Sequence, residues 1–547
     1  MRLITTTHQP NGASRGSRPA TTPRQSVRVR TFHQTNDAAA TMTTIAPLTS
    51  PSDSISHQTP DWVWESHSIL NLKYQKTVAT LSAIRKALLQ RGDLTAIQSR
   101  YCEQIDWVLS LPDEIADHVL TDPQAYFFAR TAYDLFVSAY LGTELPRGTQ
   151  AYIDERHAGE TLTLNQQLGA HLERFGRFVV SLALTAKQPT SIAPLRLNLP
   201  EILPGTAYSF AGSCDLVLHG TSDSGNLELT VNGTPTSLRL PQVTEKHGDL
   251  TIHVAPQVGA IRLQPPAFNV AGLSDIRSVV PADVDAQSDY QSLLDETIRL
   301  IGRYAPDTAA QLTASMRVIA FKPLGFDGVF NTSCSRLPGA AIFTGARCSL
   351  MLADDLIHEF YHNRLFAIEE QGGFFVPADE SLGLGPDTVY SPWRDDPRPI
   401  YGLLHAVYVF ERVLEFWLSA IESGDLSTGD QQFAAYRAAK LAGQLELSLD
   451  QLIAWGEFTE RGQQLCASMA QSIKQQRARC EALHLGEHTP AITLTNKGNP
   501  CEVLNSEGNP MTVGEELQRH IETYDIHHRI SRTALAAVPS SRLQIAK

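Results

Sequence analysis

The spacing of apolar residues divides the chain into regions of different predicted structure. From Trp62 to about Lys187, apolar residues recur at helical intervals, which predicts a helical domain at residues 58–190. From about Pro194 to Ala271, short alternating runs are separated by Gly, Asn, Asp and Pro. This second pattern predicts strands and turns, and we expect a β-rich region at residues 191–285.

The second half of the chain is predicted to be a catalytic helical domain at residues 286–536, followed by a loose tail at residues 537–547. Its predicted helices lie at Ser288–Tyr304, Ile400–Ser423, Gly429–Leu483 and Val513–Arg529. Strands at Arg317–Phe321 and Ala340–Thr344 lead into a further helix, which should pack on the edge of their sheet. The expected fold class is therefore α+β, predominantly helical, with a small antiparallel β region.

Residues 1–57 differ in composition from the rest of the chain. They are rich in Thr, Ser, Pro and Arg, and no acidic residue precedes Asp37, so this segment is not expected to fold alone. A transit peptide, a disordered arm and an extension upstream of a true start at Met42 are the alternatives. We favour the last two, because prolines at positions 10, 19 and 23 interrupt the amphipathic helix of a transit peptide.

Composition and charge narrow the class of protein. With 42% hydrophobic and 19% charged residues, the chain should be soluble, and no apolar run approaches the roughly 20 residues of a membrane span. A formal net charge of −13 argues against nucleic acid as a partner. The seven cysteines form no CxxC pair, which is typical of reduced thiols in a cytoplasmic protein and argues against a cysteine metal site.

One short motif indicates metal chemistry. His358-Glu359-Phe360-Tyr361-His362 matches HExxH, and in a helix the two histidines, four positions apart, share one face. Glu359 follows the first histidine directly and is the candidate catalytic residue of the motif. Two solvated histidines are the alternative interpretation.

The residues around the motif favour a metal-binding helix in the protein interior. Asp354 and Asp355 are expected in the first turn of this helix, and Gly372-Gly373 should stop it. The apolar residues that give the helix a buried face are Leu352, Leu356, Ile357, Phe360, Leu365 and Phe366. Because a buried helix rarely carries ionisable groups without a role, we expect His358 and His362 to bind metal.

A third ligand is needed for a catalytic metal, and His405 is the stronger of two candidates. Leu365 and Ile368 stand where a metzincin would have Gly and His, so that class is excluded. Glu380 would serve in a gluzincin. His405 lies early in an otherwise apolar predicted helix, where a polar group needs a reason; a core histidine bonded to a carbonyl is the alternative.

A second possible ligand pair lies in the β-rich region. His247-Gly248-Asp249 matches the HxD pair of jelly-roll iron oxygenases. Gly-Asp between two strand-like runs is ordinary hairpin chemistry, however, and we expect a turn there.

Arginines near His405 distinguish the possible reactions. Arg394, Arg398 and Arg412 are candidates to bind a carboxylate, although Arg394 and Arg398 could instead pair with Asp395 and Asp396. A zinc peptidase needs three ligands, a water and a glutamate base, whereas a 2-oxoglutarate-dependent iron enzyme also needs a cation for its cosubstrate. The HExxH motif fits either enzyme, and the arginines favour the second.

The chain resembles a known family over these motifs. Leu356–Leu365, followed by Tyr390–His405, is similar to the HExxH-motif peptide-modification family, whose members accompany ribosomally made, post-translationally modified peptides (RiPPs). The resemblance is specific over about Ala340 to Leu418. It implies a bacterial cytoplasmic oxidoreductase, a dioxygenase that uses Fe(II), 2-oxoglutarate and O2 to hydroxylate the β-carbon of a residue in a precursor peptide.

By this resemblance, His358, His362 and His405 would hold Fe(II), and Arg394 or Arg398 would hold 2-oxoglutarate. Glu359 would orient water or a ligand, whereas in a zinc peptidase it would be the general base. A non-catalytic protein that binds a peptide or partner, with a structural metal, is a third possibility. Structural zinc usually has four protein ligands, and the sequence offers three good candidates.

Overall fold

The computed structural model describes residues 68–199, 201–264, 284–322, 331–344, 348–376, 389–394, 398–494, 500–505 and 507–528. The segment 1–57, Glu380, the Asp395-Asp396 pair and the tail 537–547 lie outside these residues. The described chain is mixed α and β and mainly helical. None of its helices combines the length and apolar composition needed to cross a membrane.

Helices occupy the first described region, as the apolar spacing predicts. Thr95 and Thr163 each cap the start of a helix. The threonine side chain accepts a hydrogen bond from the backbone N–H of a glutamine three positions later, and the glutamine side chain accepts one from the backbone N–H of the threonine. Gly142 ends the helix Pro123–Leu141 in a left-handed conformation, at φ 73°. The helices are α1 (Ser68–Arg91), α2 (Ala96–Ser110), α3 (Asp113–Leu120), α4 (Pro123–Leu141), α5 (Arg147–Arg156), α6 (Leu164–Glu173) and α7 (Gly176–Ala186).

Two four-stranded antiparallel sheets follow, with strand orders β1-β4-β5-β6 and β2-β3-β8-β7. Their strands are β1 (Thr190–Leu197), β2 (Glu201–Ile202), β3 (Tyr208–Gly212), β4 (Leu216–Thr221), β5 (Leu227–Val231), β6 (Thr234–Leu238), β7 (Glu245–His247) and β8 (Leu250–Val254). His247 pairs with Leu250 across a tight turn in which Gly248 has φ 62°. The prediction that His247-Gly248-Asp249 forms a turn is confirmed.

A third sheet, with strand order β12-β13-β11-β10-β9, differs from the antiparallel region expected from sequence. Its strands are β9 (Gln257–Val258), β10 (Ile261–Gln264), β11 (Val318–Lys322), β12 (Thr332–Ser333) and β13 (Ala340–Thr344). β10, β11 and β13 run parallel. A parallel pair needs a long crossover, and α8 (Val284–Tyr304) and α9 (Pro306–Ser315) lie between β10 and β11.

The chain has an N-terminal hydrophobic core, formed mainly by α1–α7 and the two antiparallel sheets, and a second core that the third sheet shares with the remaining helices. They are α10 (Ser349–Glu369), which carries HExxH, α11 (Ile400–Ser423), which carries His405, α12 (Thr428–Trp455), α13 (Glu460–Ala482) and α14 (Val513–His528). The long helical stretch predicted at Gly429–Leu483 thus consists of two helices, which are separated at Gly456. A Cβ there would lie 2.0 Å from the Phe458 ring, so only glycine fits. The last two strands, β14 (Ile492–Leu494) and β15 (Pro500–Glu502), form an antiparallel pair.

The HExxH helix, α10, packs on β12 and β13, so the predicted packing on a sheet edge is confirmed. Asn363 anchors it there, because its side chain accepts a hydrogen bond from the Gly339 amide and donates one to the Ala340 carbonyl. The helix begins at Ser349, so the expectation that Asp354 and Asp355 lie in its first turn is wrong. The apolar residues before Asp354 extend the helix by a further turn.

Candidate metal centre

His358 and His362 lie side by side on the HExxH helix. Their Nε2 atoms are 3.1 Å apart and their ring centroids 4.6 Å apart. Both residues are partly exposed, while the three residues between them, Glu359, Phe360 and Tyr361, are buried. Two nitrogens that each lie about 2.1 Å from one metal ion are about 3.0–3.4 Å apart, so this pair fits a shared divalent ion.

His405 reaches the pair from the neighbouring helix, α11. Its Nδ1 lies 3.2 Å from Nδ1 of His362, and the two rings stack with centroids 5.4 Å apart. His405 is buried, at 4% exposure, and Phe366 and Tyr401 pack against its ring. The sequence therefore identified the three imidazoles that meet at this place.

The nitrogens of the three histidines do not converge on one point, because His358 and His405 contact opposite sides of the His362 ring. His358 faces Nε2 of His362, whereas His405 faces the opposite nitrogen, Nδ1. Within the described ranges, no group of three or more His, Cys, Asp or Glu residues is arranged to hold a metal ion. The donor set thus fits a metal at the His358–His362 pair, and the orientation of His405 differs from that of a third ligand.

Burial keeps the histidine pair neutral. It lowers the pKa of His358 to about 4, an effect that Asp354 opposes and Arg437 reinforces. Burial also lowers the pKa of His362 well below its usual value, with smaller contributions from His358 and His405. Because only neutral imidazole can bind a metal ion, both side chains are competent ligands at pH 7.

Glu359 points into the protein and is almost fully buried. Burial raises the pKa of its carboxyl to about 8, against a hydrogen bond from Ser333 that lowers it. Its Oε2 atom and Nδ1 of His358 have no hydrogen-bond partner among the described residues. Buried polar atoms of this kind are costly, and they are characteristic of sites where a ligand or ion completes the hydrogen bonding.

Two carboxylates that sequence reasoning did not assign to the site hold its helices. Asp354, one turn before His358, accepts hydrogen bonds from Trp417 Nε1 at 2.7 Å and from Arg437 Nε at 2.7 Å. It thereby joins the HExxH helix to α11 and α12. Glu369, at the other end of the HExxH helix, lies 3.1 Å from His405 Nε2. Neither partner is near in sequence, so no local signal could have revealed these contacts.

Two of the candidate arginines, Arg394 and Arg398, lie in the segment that precedes His405. The Arg398 side chain packs over Gly402, one helical turn before His405. Arg394 follows Trp393, whose ring stacks on Phe410 with centroids 4.8 Å apart. The ring centroids of Phe410 and His358 are in turn 4.6 Å apart, so Trp393 lies close to the histidine pair.

The third candidate, Arg412, lies beside a buried carboxylate on its own helix. Its Nε lies 2.7 Å from the carboxylate of Glu411, which is completely buried. Arg412 is therefore paired with a carboxylate within the helix bundle.

Comparisons with known proteins add no assignment. No protein-family model matches the chain, and no curated protein matches it. The site must therefore be interpreted from its own residues.

Proposed function

We propose that this protein is an Fe(II)- and 2-oxoglutarate-dependent oxygenase that hydroxylates the β-carbon of a residue in a ribosomally synthesised precursor peptide. His358 and His362 hold the iron in this proposal, and His405, which the sequence predicts as a third ligand, lies against the other ring nitrogen of His362. Bound iron would supply the activation of O2, and the chain's own residues would bind and orient the cosubstrate and the peptide.

The observation that carries the proposal is the meeting of three imidazoles from two helices, with His358 and His362 partly exposed and His405 buried beside them. A core histidine needs one hydrogen-bond partner and no second histidine. Imidazole is a ligand that suits iron, and a site for a keto acid and O2 must leave metal positions open. Arg394, next to Trp393, and Arg398, over Gly402, support the oxygenase over other metal enzymes, because a guanidinium binds a carboxylate through two hydrogen bonds.

Anaerobic titration with Fe(II) and 2-oxoglutarate tests the proposal. We expect a weak visible charge-transfer band that requires both additions. Arg398→Ala or Arg394→Ala should weaken cosubstrate binding about 10–100-fold, the size of a lost charge-assisted hydrogen bond. Arg299→Ala is the matched control, because Arg299 is exposed and pairs only with the exposed Asp295.

Mass spectrometry of a co-expressed precursor peptide separates the alternatives. The oxygenase yields succinate and a peptide heavier by one oxygen atom. A zinc peptidase works without O2 and yields two fragments whose masses sum to that of the substrate plus water, and loss of metal in Glu380→Ala would support it. A binding protein leaves the peptide mass unchanged, and that result would refute both enzymatic functions.

A further inference from the structure

We infer that His405 positions His362 and does not itself bind the metal, so that Tyr401, Glu369 and His405 form a hydrogen-bonded chain that orients one ligand. This inference rests on the proposed metal site and revises the role that the sequence gave to His405.

The two ring nitrogens of His362 face opposite directions. Nε2 faces His358, and this is the side on which an ion shared with His358 would lie. Nδ1 is 3.2 Å from Nδ1 of His405. A metal-bound imidazole commonly donates its other N–H to an acceptor, which fixes the ring and raises its basicity. His405 is placed to be that acceptor for His362.

Glu369 determines which nitrogen of His405 accepts. Its carboxylate lies 3.1 Å from His405 Nε2 and can only accept a hydrogen bond, so Nε2 carries the proton. The other ring nitrogen of His405, Nδ1, lies 3.2 Å from Nδ1 of His362 and is placed to accept. The contact therefore works as a hydrogen bond donated by His362, and one carboxylate orients both rings.

Tyr401 fixes the carboxylate in turn. Its hydroxyl donates to the other Glu369 oxygen at 2.8 Å, and its ring packs on His405 with centroids 4.5 Å apart. Glu369 lies two turns after His362 on the HExxH helix, and Tyr401 lies one turn before His405 on α11. These hydrogen bonds thus link both helices, and Tyr401, at their outer end, is 44% exposed.

Co(II) titration of the full-length protein, followed by ligand-field absorption, tests the inference without relying on turnover. His358→Ala and His362→Ala should bind no Co(II). His405→Ala and Glu369→Ala should weaken binding about 10–100-fold while the absorption bands keep their positions, because the ligands are the same. His405→Asn should recover most of the loss, since its amide oxygen replaces the acceptor Nδ1. Tyr401→Phe should cost less than Glu369→Ala.

Glu370→Gln is the matched control. Glu370 is the next residue but turns away, toward Lys73 and Tyr126. The substitution should lower thermal stability, because it leaves the buried Lys73 without a charged partner, and should leave Co(II) affinity within about twofold of wild type. A variant that is less stable but binds metal normally shows that weaker binding in Glu369→Ala is not a folding defect.

Three outcomes would overturn the inference. Complete loss of Co(II) in His405→Ala, with His405→Asn shifting the absorption bands, would make His405 a ligand. Unchanged affinity in both His405→Ala and Glu369→Ala would remove any role in positioning, while leaving the proposed metal site in place. Absence of Co(II) binding by the wild-type protein would remove the metal site and the inference together.

Discussion

His171 in the N-terminal core and His405 beside the HExxH helix are equally buried, at 4% exposure each, but their surroundings differ. His171 bonds the Phe128 carbonyl at 3.0 Å through Nε2 and stacks on the Phe128 ring. His405 contacts a carboxylate with one ring nitrogen and a second imidazole with the other. Burial alone therefore does not separate a structural histidine from a functional one, whereas the identity of the hydrogen-bond partners does.

The two regions also differ in the charged groups that contact the buried histidine. Burial lowers the pKa of His171 to about 4, and no other titratable group contacts its ring through a hydrogen bond in the described chain. Around the histidine cluster, by contrast, Asp354 and Glu369 act at the two ends of the same helix. The N-terminal region also contains buried ion pairs, such as Arg177 with Glu201, but none of these groups hydrogen-bonds to His171 among the described residues, whereas Glu369 contacts His405 directly. This comparison leads to the following predictions, in order of expected size.

Removing Asp354 should produce the largest loss of stability on the cluster side. Asp354→Ala leaves the Arg437 guanidinium, on a side chain that is 21% exposed, without its carboxylate, which should cost about 3 kcal/mol of unfolding free energy. Chemical denaturation measures this cost. The exposed pair Asp295–Arg299 supplies the control, because Asp295→Ala should cost under about 0.5 kcal/mol. Similar costs for the two substitutions would contradict the structural role of Asp354.

Acid should weaken the N-terminal core through His171. The unfolded state binds a proton near pH 6.5 and the folded state only near pH 4, so stability is complete above about pH 6.5 and falls as the pH decreases to about 4. The shift corresponds to a loss of up to about 3 kcal/mol.

Denaturation of His171→Gln as a function of pH measures this contribution. Glutamine does not titrate and can still donate to the Phe128 carbonyl, so the variant should lose less stability over this window than wild type. Parallel pH curves for the two proteins would show that His171 does not cause the loss.

Asn363→Ala should destabilise the junction between the HExxH helix and β13. The buried Gly339 amide would lose its acceptor, at a cost of about 1–3 kcal/mol. Metal affinity should fall much less than in His362→Ala, since Asn363 lies on the sheet side of the helix. Hydrogen exchange at the Gly339 amide measures the local effect, and unchanged protection would contradict it.

The smallest effect is expected from Trp417→Phe. The substitution removes the hydrogen bond to Asp354 but keeps most of the buried ring, so it should cost about 1–2 kcal/mol. A loss as large as that of Asp354→Ala would mean that Trp417, and not Arg437, carries the interaction.

The sequence predicted the local features of the site because they depend on spacing along one helix. The bounds of the helix Ile400–Ser423 are confirmed, and its His405 lies 3.2 Å from His362, while ligation by His405 stays a prediction. Arg437 and Glu369 could not be predicted, because their partners lie 83 and 36 positions away and no periodicity records such contacts. The parallel sheet was missed for the same reason, since alternation shows that a strand exists but not which strand lies beside it.

The orientation of His405 was likewise beyond sequence reasoning. Apolar neighbours identify a buried histidine, but the choice between ligand and hydrogen-bond partner depends on which ring nitrogen faces His362. The contact of Glu369 with Nε2 of His405 bears on that choice, and it appears only in three dimensions.

The metal content of the purified full-length protein tests the central claim most directly. After anaerobic reconstitution with Fe(II) and removal of excess metal, the wild type and His171→Gln should each retain about one equivalent of iron, while His358→Ala and His362→Ala retain none. Equal iron retention by wild type and His358→Ala, or none in any of the four proteins, would contradict the assignment of this histidine pair as a metal centre.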